Sequence, residues 1–122
     1  MTKEELENTT FETIDEENWK KWVLAKGYPN YEVLRLVNLN IGGINVLFYN
    51  GEVSQTYANY AKQVKPDTIS VGYSNGMIGY LMTARQIEEG GYEPCGSATY
   101  FAVAGTYSKE IENIISNIKK IL

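Results

Sequence analysis

The sequence contains no histidine among its 122 residues. That absence excludes Ser-His-Asp and Cys-His catalysis, and any zinc site of the usual histidine-bearing kind, from this chain alone. Cysteine is nearly absent too. Cys95 has no second thiol for an internal disulfide and no histidine to activate it, which fits a passive thiol in a reducing compartment. No apolar run approaches the roughly 18 residues of a membrane span. Basic charge is scarce: 11 Lys and Arg stand against 15 Asp and Glu, for a net charge of −4. An isoelectric point near 4.9 argues against a nucleic-acid partner, which calls for a basic face. Residues Met1–Glu7 are polar and acidic, unlike a secretory leader, so a cytoplasmic chain is expected unless an upstream portion has been removed.

What is there fits one domain with one core. Residues 1–12 are charged and aperiodic and read as a frayed arm; residues 13–122 read as a single α/β domain. Thr13-Ile-Asp-Glu16 has the form of a capping box that opens a helix. Trp19, Trp22, Val23 and Lys26 share one stripe of it, both tryptophans as core anchors, before Gly27 and Pro29 end it. Tyr31–Asn40 reads as a strand, Gly42-Gly43 as a hairpin turn and Ile44–Tyr49 as the returning strand. Val53–Val64 fits a helix with Val53, Tyr57, Tyr60 or Ala61, and Val64 buried. Thr68–Tyr73 fits the next strand. Strand, helix and strand of these lengths make a right-handed βαβ crossover with parallel strands. Thr83–Glu89 suggests two helical turns. Ser97–Val103 reads as a short strand or an extended loop. Tyr107, Ile111, Ile114, Ile115, Ile118 and Leu122 repeat at helical spacing in a C-terminal helix. The fold class is therefore a βαβ-containing mixed sheet with an N-terminal hairpin and packed helices.

The stretch Ser70–Thr83, continued through Glu88–Glu93, departs from core-forming sequence. Gly72, Gly76 and Gly79 fall within eight residues, and Gly90-Gly91 form a second turn. Such glycines permit positive φ or close backbone approach. Tyr80 and Tyr92 follow the two clusters. Asn50-Gly51-Glu52 and Ser74-Asn75-Gly76 leave the carboxyl ends of neighbouring parallel strands, the edge where open α/β sheets bind ligands. Glu52 reads either as a site carboxylate or as an ordinary glutamate in a helix's first turn. Tyr80, with an ordinary pKa near 10, is a poor base unless a cation lies beside it. Tyr92 is placed to donate a hydrogen bond to a carbonyl or oxyanion. Glu88, Glu89 and Glu93 read as solvated loop charges. The glycines match neither a dinucleotide fingerprint nor a P-loop.

The run Asn75-Gly-Met-Ile-Gly-Tyr-Leu-Met-Thr-Ala84, followed by Glu88-Glu-Gly-Gly-Tyr-Glu93, resembles a signature near the end of the catalytic domain of the neutral/alkaline (non-lysosomal) ceramidases. Asn50-Gly51-Glu52 resembles that family's Pro-Gly-Glu element. The likeness spans roughly residues 33–122, with Met82, Asn50 and Ile87 standing where the family has Pro, Pro and Tyr. It implies a zinc hydrolase that cleaves the amide of an N-acylsphingosine or a related lipid-like substrate. Residue by residue, it implies Glu52 and Tyr80 as zinc ligands and Tyr92 as the group that binds and polarises the scissile amide. The family's remaining zinc ligands are histidines from a preceding segment. The resemblance therefore implies the C-terminal portion of such an enzyme, half of a larger α/β domain and inactive alone. Zinc would require an upstream segment or a partner chain carrying the histidines. The alternative is a self-contained, non-catalytic α/β binding or assembly module derived from the same fold.

Overall fold

Positive φ at Gly42 (59°) and Gly43 (91°) turns the chain back on itself between β1 (Leu36–Ile41) and β2 (Ile44–Tyr49). These are the dihedrals that a two-residue hairpin of the right twist demands. The computed structural model describes residues 1–122 as a mixed α/β chain. β2 continues into a two-residue strand, β3 (Glu52–Val53), then α3 (Gln55–Val64) and β4 (Thr68–Val71). β4 pairs parallel with β2, which completes the expected βαβ unit and gives the sheet order β1-β2-β4. β5 (Tyr80–Leu81) pairs parallel with β3 as a separate two-stranded sheet. α4 (Ala84–Glu89) follows, opened by a Thr83–Gln86 capping box. A π-helical turn (Tyr92–Gly96) runs into α5 (Ser97–Phe101), and α6 (Ile111–Ser116) ends in a 3-10 turn (Asn117–Lys120).

One face of the three-stranded sheet is covered. Leu47 and Tyr49 of β2 are fully buried against Tyr57 and Ala61 of α3 and against Ile111, Ile115 and Ile118. A second, smaller cluster gathers Leu6, Val23 and Ala102 with Phe11, Trp19 and Leu24. It ties α2 (Ile14–Ala25) to α5, and the Trp19 indole N–H donates to the Val103 carbonyl at 2.7 Å. The other sheet face carries Val37, Leu39 and Ile41 of β1, Ile44, Val46 and Phe48 of β2, and Ile69 and Val71 of β4, aligned by register. Most of it is open, with Val37, Ile41 and Ile69 exposed by 48%, 60% and 51%.

Several expectations need correction. Residues 1–12 are not a frayed arm: α1 (Lys3–Asn8) is opened by a reciprocal Thr2–Glu5 capping box and buries Leu6 completely. Trp22 is half exposed, so only Trp19 anchors a core. The strand begins at Leu36 rather than Tyr31, because the Asn50 side chain takes up the backbone of residues 33–35 that a ladder would otherwise use. Val53 lies on a strand and Ser54 is the α3 N-cap, and Val64 is exposed. Ser97–Phe101 is helical, not extended. The C-terminal helix is shorter than its periodicity suggests. Tyr107 lies outside it, its hydroxyl donating to the Ile78 carbonyl, and Ile114 faces outward.

Burial raises the Tyr57 and Tyr107 phenols above their ordinary pKa, helped by the negative charges of Glu112 and Glu32 respectively. The folded chain keeps these protons at pH values where the unfolded chain, titrating near 10, releases them. The native state therefore binds more protons than the unfolded state above about pH 10, and stability falls as pH rises through that range. The Tyr57 hydroxyl also donates to the Met82 carbonyl at 3.0 Å. Tyr57→Phe is expected to lower stability by about 1 kcal/mol near neutrality and to flatten the alkaline decline. Urea unfolding at a series of pH values measures both; an unchanged alkaline slope would count against burial as the cause.

Candidate functional site

The candidate site sits where β2 and β4 release the chain side by side. Asn50 is completely buried and acts as a staple. Its side-chain oxygen accepts from the Arg35 N–H at 2.7 Å, and its side-chain amide donates to the Val33 carbonyl at 2.9 Å. Its own carbonyl accepts from Ile78 N–H at 2.9 Å. Gly51 follows, in van der Waals contact with the next crossing. A Cβ there would come within 2.9 Å of the Gly79 carbonyl oxygen and of Leu81 Cγ, and a Cβ on Gly72 would come within 3.0 Å of the Gly51 oxygen. A side chain at Gly51 requires the facing backbone to shift, and one at Gly72 requires it to give by a few tenths of an ångström. Three hydrogen bonds lock the crossing: Glu52 N–H to Gly79 O at 3.0 Å, Tyr73 N–H to Gly51 O at 3.1 Å and Ser74 N–H to Tyr49 O at 2.9 Å.

The result is direct register between Glu52 and Tyr80 on β3 and β5. Tyr92 begins the π-helical turn just after Gly90 and Gly91, both at positive φ, and its ring meets that of Tyr80 edge-on at 6.1 Å between centroids. All three residues singled out from the sequence, Glu52, Tyr80 and Tyr92, therefore lie together. Phe101 backs the Tyr80 ring from another side at 5.8 Å. Sequence reasoning missed Tyr73. It adopts a left-handed backbone (φ 56°), a strained conformation for a bulky residue, and its phenol lies within the influence of the Glu52 carboxylate. The acceptor oxygens of Glu52, then partial desolvation and the Glu52 charge, push the Tyr73 pKa up to about 12. Tyr80 is also raised, by desolvation first and then by the charge and acceptor oxygens of Glu52. Without a cation, Glu52 thus favours the protonated form of Tyr73 and Tyr80. A cation set between them reverses that preference.

Glu52 and Tyr80 are oxygen donors of a kind that zinc accepts, but zinc in proteins takes three or four protein ligands. No group of three or more His, Cys, Asp or Glu side chains in the structure is arranged to hold a metal ion. The residues present do not by themselves make up a zinc site. The cavity that Tyr80 lines, with Glu93 and Phe101, measures ≈ 10 Å³ and has no room for an acyl chain. The largest groove, ≈ 470 Å³ between α3 and α6, is lined by Tyr57, Tyr60 and Glu112 and includes none of the three site residues. Glu88 pairs with Lys109 at 3.0 Å and Glu89 with Arg85 at 2.7 Å, so both serve as exposed ion pairs. Cys95 is free and half-buried within the π-helical turn. No helix is long and apolar enough to cross a membrane.

No family model, no curated protein and no solved structure matches this chain.

The crossing gives two expectations for stability. Asn50→Ala strands the Arg35 N–H and the Val33 carbonyl and should lower unfolding free energy by roughly 2 kcal/mol. Gly51→Ala should cost about 1–3 kcal/mol through overpacking and pull Glu52 out of register with Tyr80. Chemical denaturation measures the first effect. Amide exchange at Glu52 and Ser54, whose N–H groups bond Gly79 and Leu81, measures the second. Unchanged protection there in Gly51→Ala would mean that the crossing tolerates a side chain.

Proposed function

We propose that this chain is the C-terminal portion of a zinc-dependent amide hydrolase similar to the neutral ceramidases, inactive alone and completed by histidines from another segment or chain. The observation that carries this reading is the register of Glu52 with Tyr80, with Tyr92 at the edge of the Tyr80 ring. A carboxylate and two phenols from three separate turns meet at the carboxyl edge of parallel strands, at a crossing where Gly51 and Gly72 let backbone segments approach closely. Glu52 and Tyr80 hold the metal from this side. Tyr92, 55% exposed, donates its hydroxyl to the carbonyl of a lipid-like amide. Tyr80 itself lines only a ≈ 10 Å³ cavity, while Tyr92 also lines a ≈ 350 Å³ groove with Trp22 and Tyr100.

A second reading, a non-catalytic assembly module, draws on the open apolar sheet face, which serves association whether or not chemistry follows. Metal content separates the two. The hydrolase reading expects the 122-residue chain alone to leave a fluorogenic ceramide uncleaved in the presence of zinc. It expects the protein isolated from its source without chelators to carry one zinc within a larger assembly. Glu52→Gln or Tyr80→Phe should release that zinc. Tyr92→Phe should retain it and lower kcat by roughly 100-fold, as loss of an oxyanion donor does. A metal-free assembly would rule out the hydrolase and leave the module.

A further inference from the structure

Three large aromatic side chains from three separate elements line one groove and stay open to solvent. Trp22 of α2, Tyr92 of the π-helical turn and Tyr100 of α5 share it with Asp15, Asn18 and Thr99. They are 50%, 55% and 73% exposed. Aromatic rings bring the largest apolar gain when buried, so three left bare around one space are not core packing. The groove measures ≈ 350 Å³, within the roughly 300–1,000 Å³ of small-molecule sites.

Local structure holds both walls. Asp15, Asn18 and Trp22 recur at helical spacing, three and then four residues apart, and make one stripe of α2. Trp19, one position off that stripe, packs into the smaller core and anchors the helix through Val103. On the opposite wall each ring is braced by a second one. Tyr92 meets Tyr80 edge-on at 6.1 Å, and Tyr100 meets Phe101 edge-on at 5.0 Å. Charge then selects the ligand. Asp15 is the one charged residue lining the groove; no Lys or Arg does. The other carboxylates of the first turn of α2 are engaged: Glu16 accepts from the Thr13 hydroxyl at 2.5 Å and Glu17 from the Phe11 N–H at 2.7 Å. Lys20 and Lys26 of the same helix donate to the carbonyls of Thr9 and Ala102, away from the groove. A carboxylate beside the negative π-faces of three rings suits a cation with an apolar shell.

We propose that the groove between α2 and α5 binds an organic cation, a quaternary ammonium group seated against Trp22, Tyr92 and Tyr100 and balanced by Asp15. This site is independent of the hydrolase reading. The two share Tyr92, so its test rests on Trp22, Tyr100 and Asp15.

The chain is titrated with choline, followed by NMR on the ligand methyl signal and the protein amides. The control ligand is the uncharged isostere of choline, in which a quaternary carbon replaces the nitrogen. The expected result is saturable binding with a Kd of about 1–10 mM, amide shifts confined to the groove, and binding of the isostere at least about tenfold weaker. Trp22→Ala and Tyr100→Ala should each weaken choline binding by roughly 3–30-fold. Asp15→Asn should weaken it severalfold and remove most of its salt dependence. All three side chains are exposed, so the urea midpoint checks that each variant still folds, and the isostere comparison needs no variant at all. Phosphatidylcholine vesicles distinguish the source of the group. Retention on them that Tyr100→Ala abolishes marks a lipid headgroup; binding of free choline without retention marks a soluble ligand. Equal affinity for the isostere would reduce the groove to apolar surface. Saturation by a methyl glucoside instead of choline would make it a sugar platform. Either result, or unchanged choline affinity in Trp22→Ala and Tyr100→Ala, or no saturation by about 50 mM choline, overturns the proposal.

Discussion

Close passage of three backbone segments at Gly51 is the constraint on which the site depends. The chain leaving β2 runs between the segment that leaves β4 and the one that enters β5, with carbonyl oxygens where side chains would otherwise stand. Only this spacing lets β3 and β5 pair, and only that pairing sets Glu52 beside Tyr80. Asn50, one residue earlier, fixes the same crossing to the segment before β1. Sheet, crossing and site are therefore mechanically one unit. A change at a glycine without functional atoms moves the carboxylate as surely as a change at the carboxylate itself.

Electrostatics follows from that geometry. The Glu52 carboxylate helps to raise the pKa values of Tyr73 and Tyr80 and so favours their protonated phenols. The arrangement carries a strained Tyr73 backbone as part of its cost. It is also poised for inversion, since a divalent cation would compete for the same oxygens and favour the phenolate.

Much of this was legible in the sequence wherever the signal was local. The Gly42-Gly43 turn, β2, the βαβ crossover and the Thr13 and Thr83 helix starts rest on neighbouring residues, and local chemistry decides them. Tyr80 and Tyr92 stood out because they follow glycine-bearing turns and Glu52 because it leaves the end of a parallel strand, but only the family resemblance joined them as one site. The signal for α1 was present as well, since Thr2-Lys-Glu-Glu5 has the same capping form as Thr13–Glu16, but its acidic composition masked it. What stayed hidden depends on distance. α5 is held against α2 through Trp19 and Val103, 84 residues apart, and the strand before Leu36 is lost to the side chain of Asn50. Tyr73 was unreadable as a site residue because its role comes from a left-handed backbone that tyrosine rarely adopts.

The placement of α6 bears on how the chain is made. Ile111, Ile115 and Ile118 close the core over β2, yet they are translated more than sixty residues after it. A Gly-Gly hairpin forms within microseconds of emerging, far faster than a ribosome adds residues. During synthesis β1 and β2 therefore stand as a ribbon with one wholly apolar face and one mixed face, Leu36, Leu47 and Tyr49 among three asparagines, that still lacks its helices. The rate at which α6 arrives sets how long Leu47 and Tyr49 stay without their full cover.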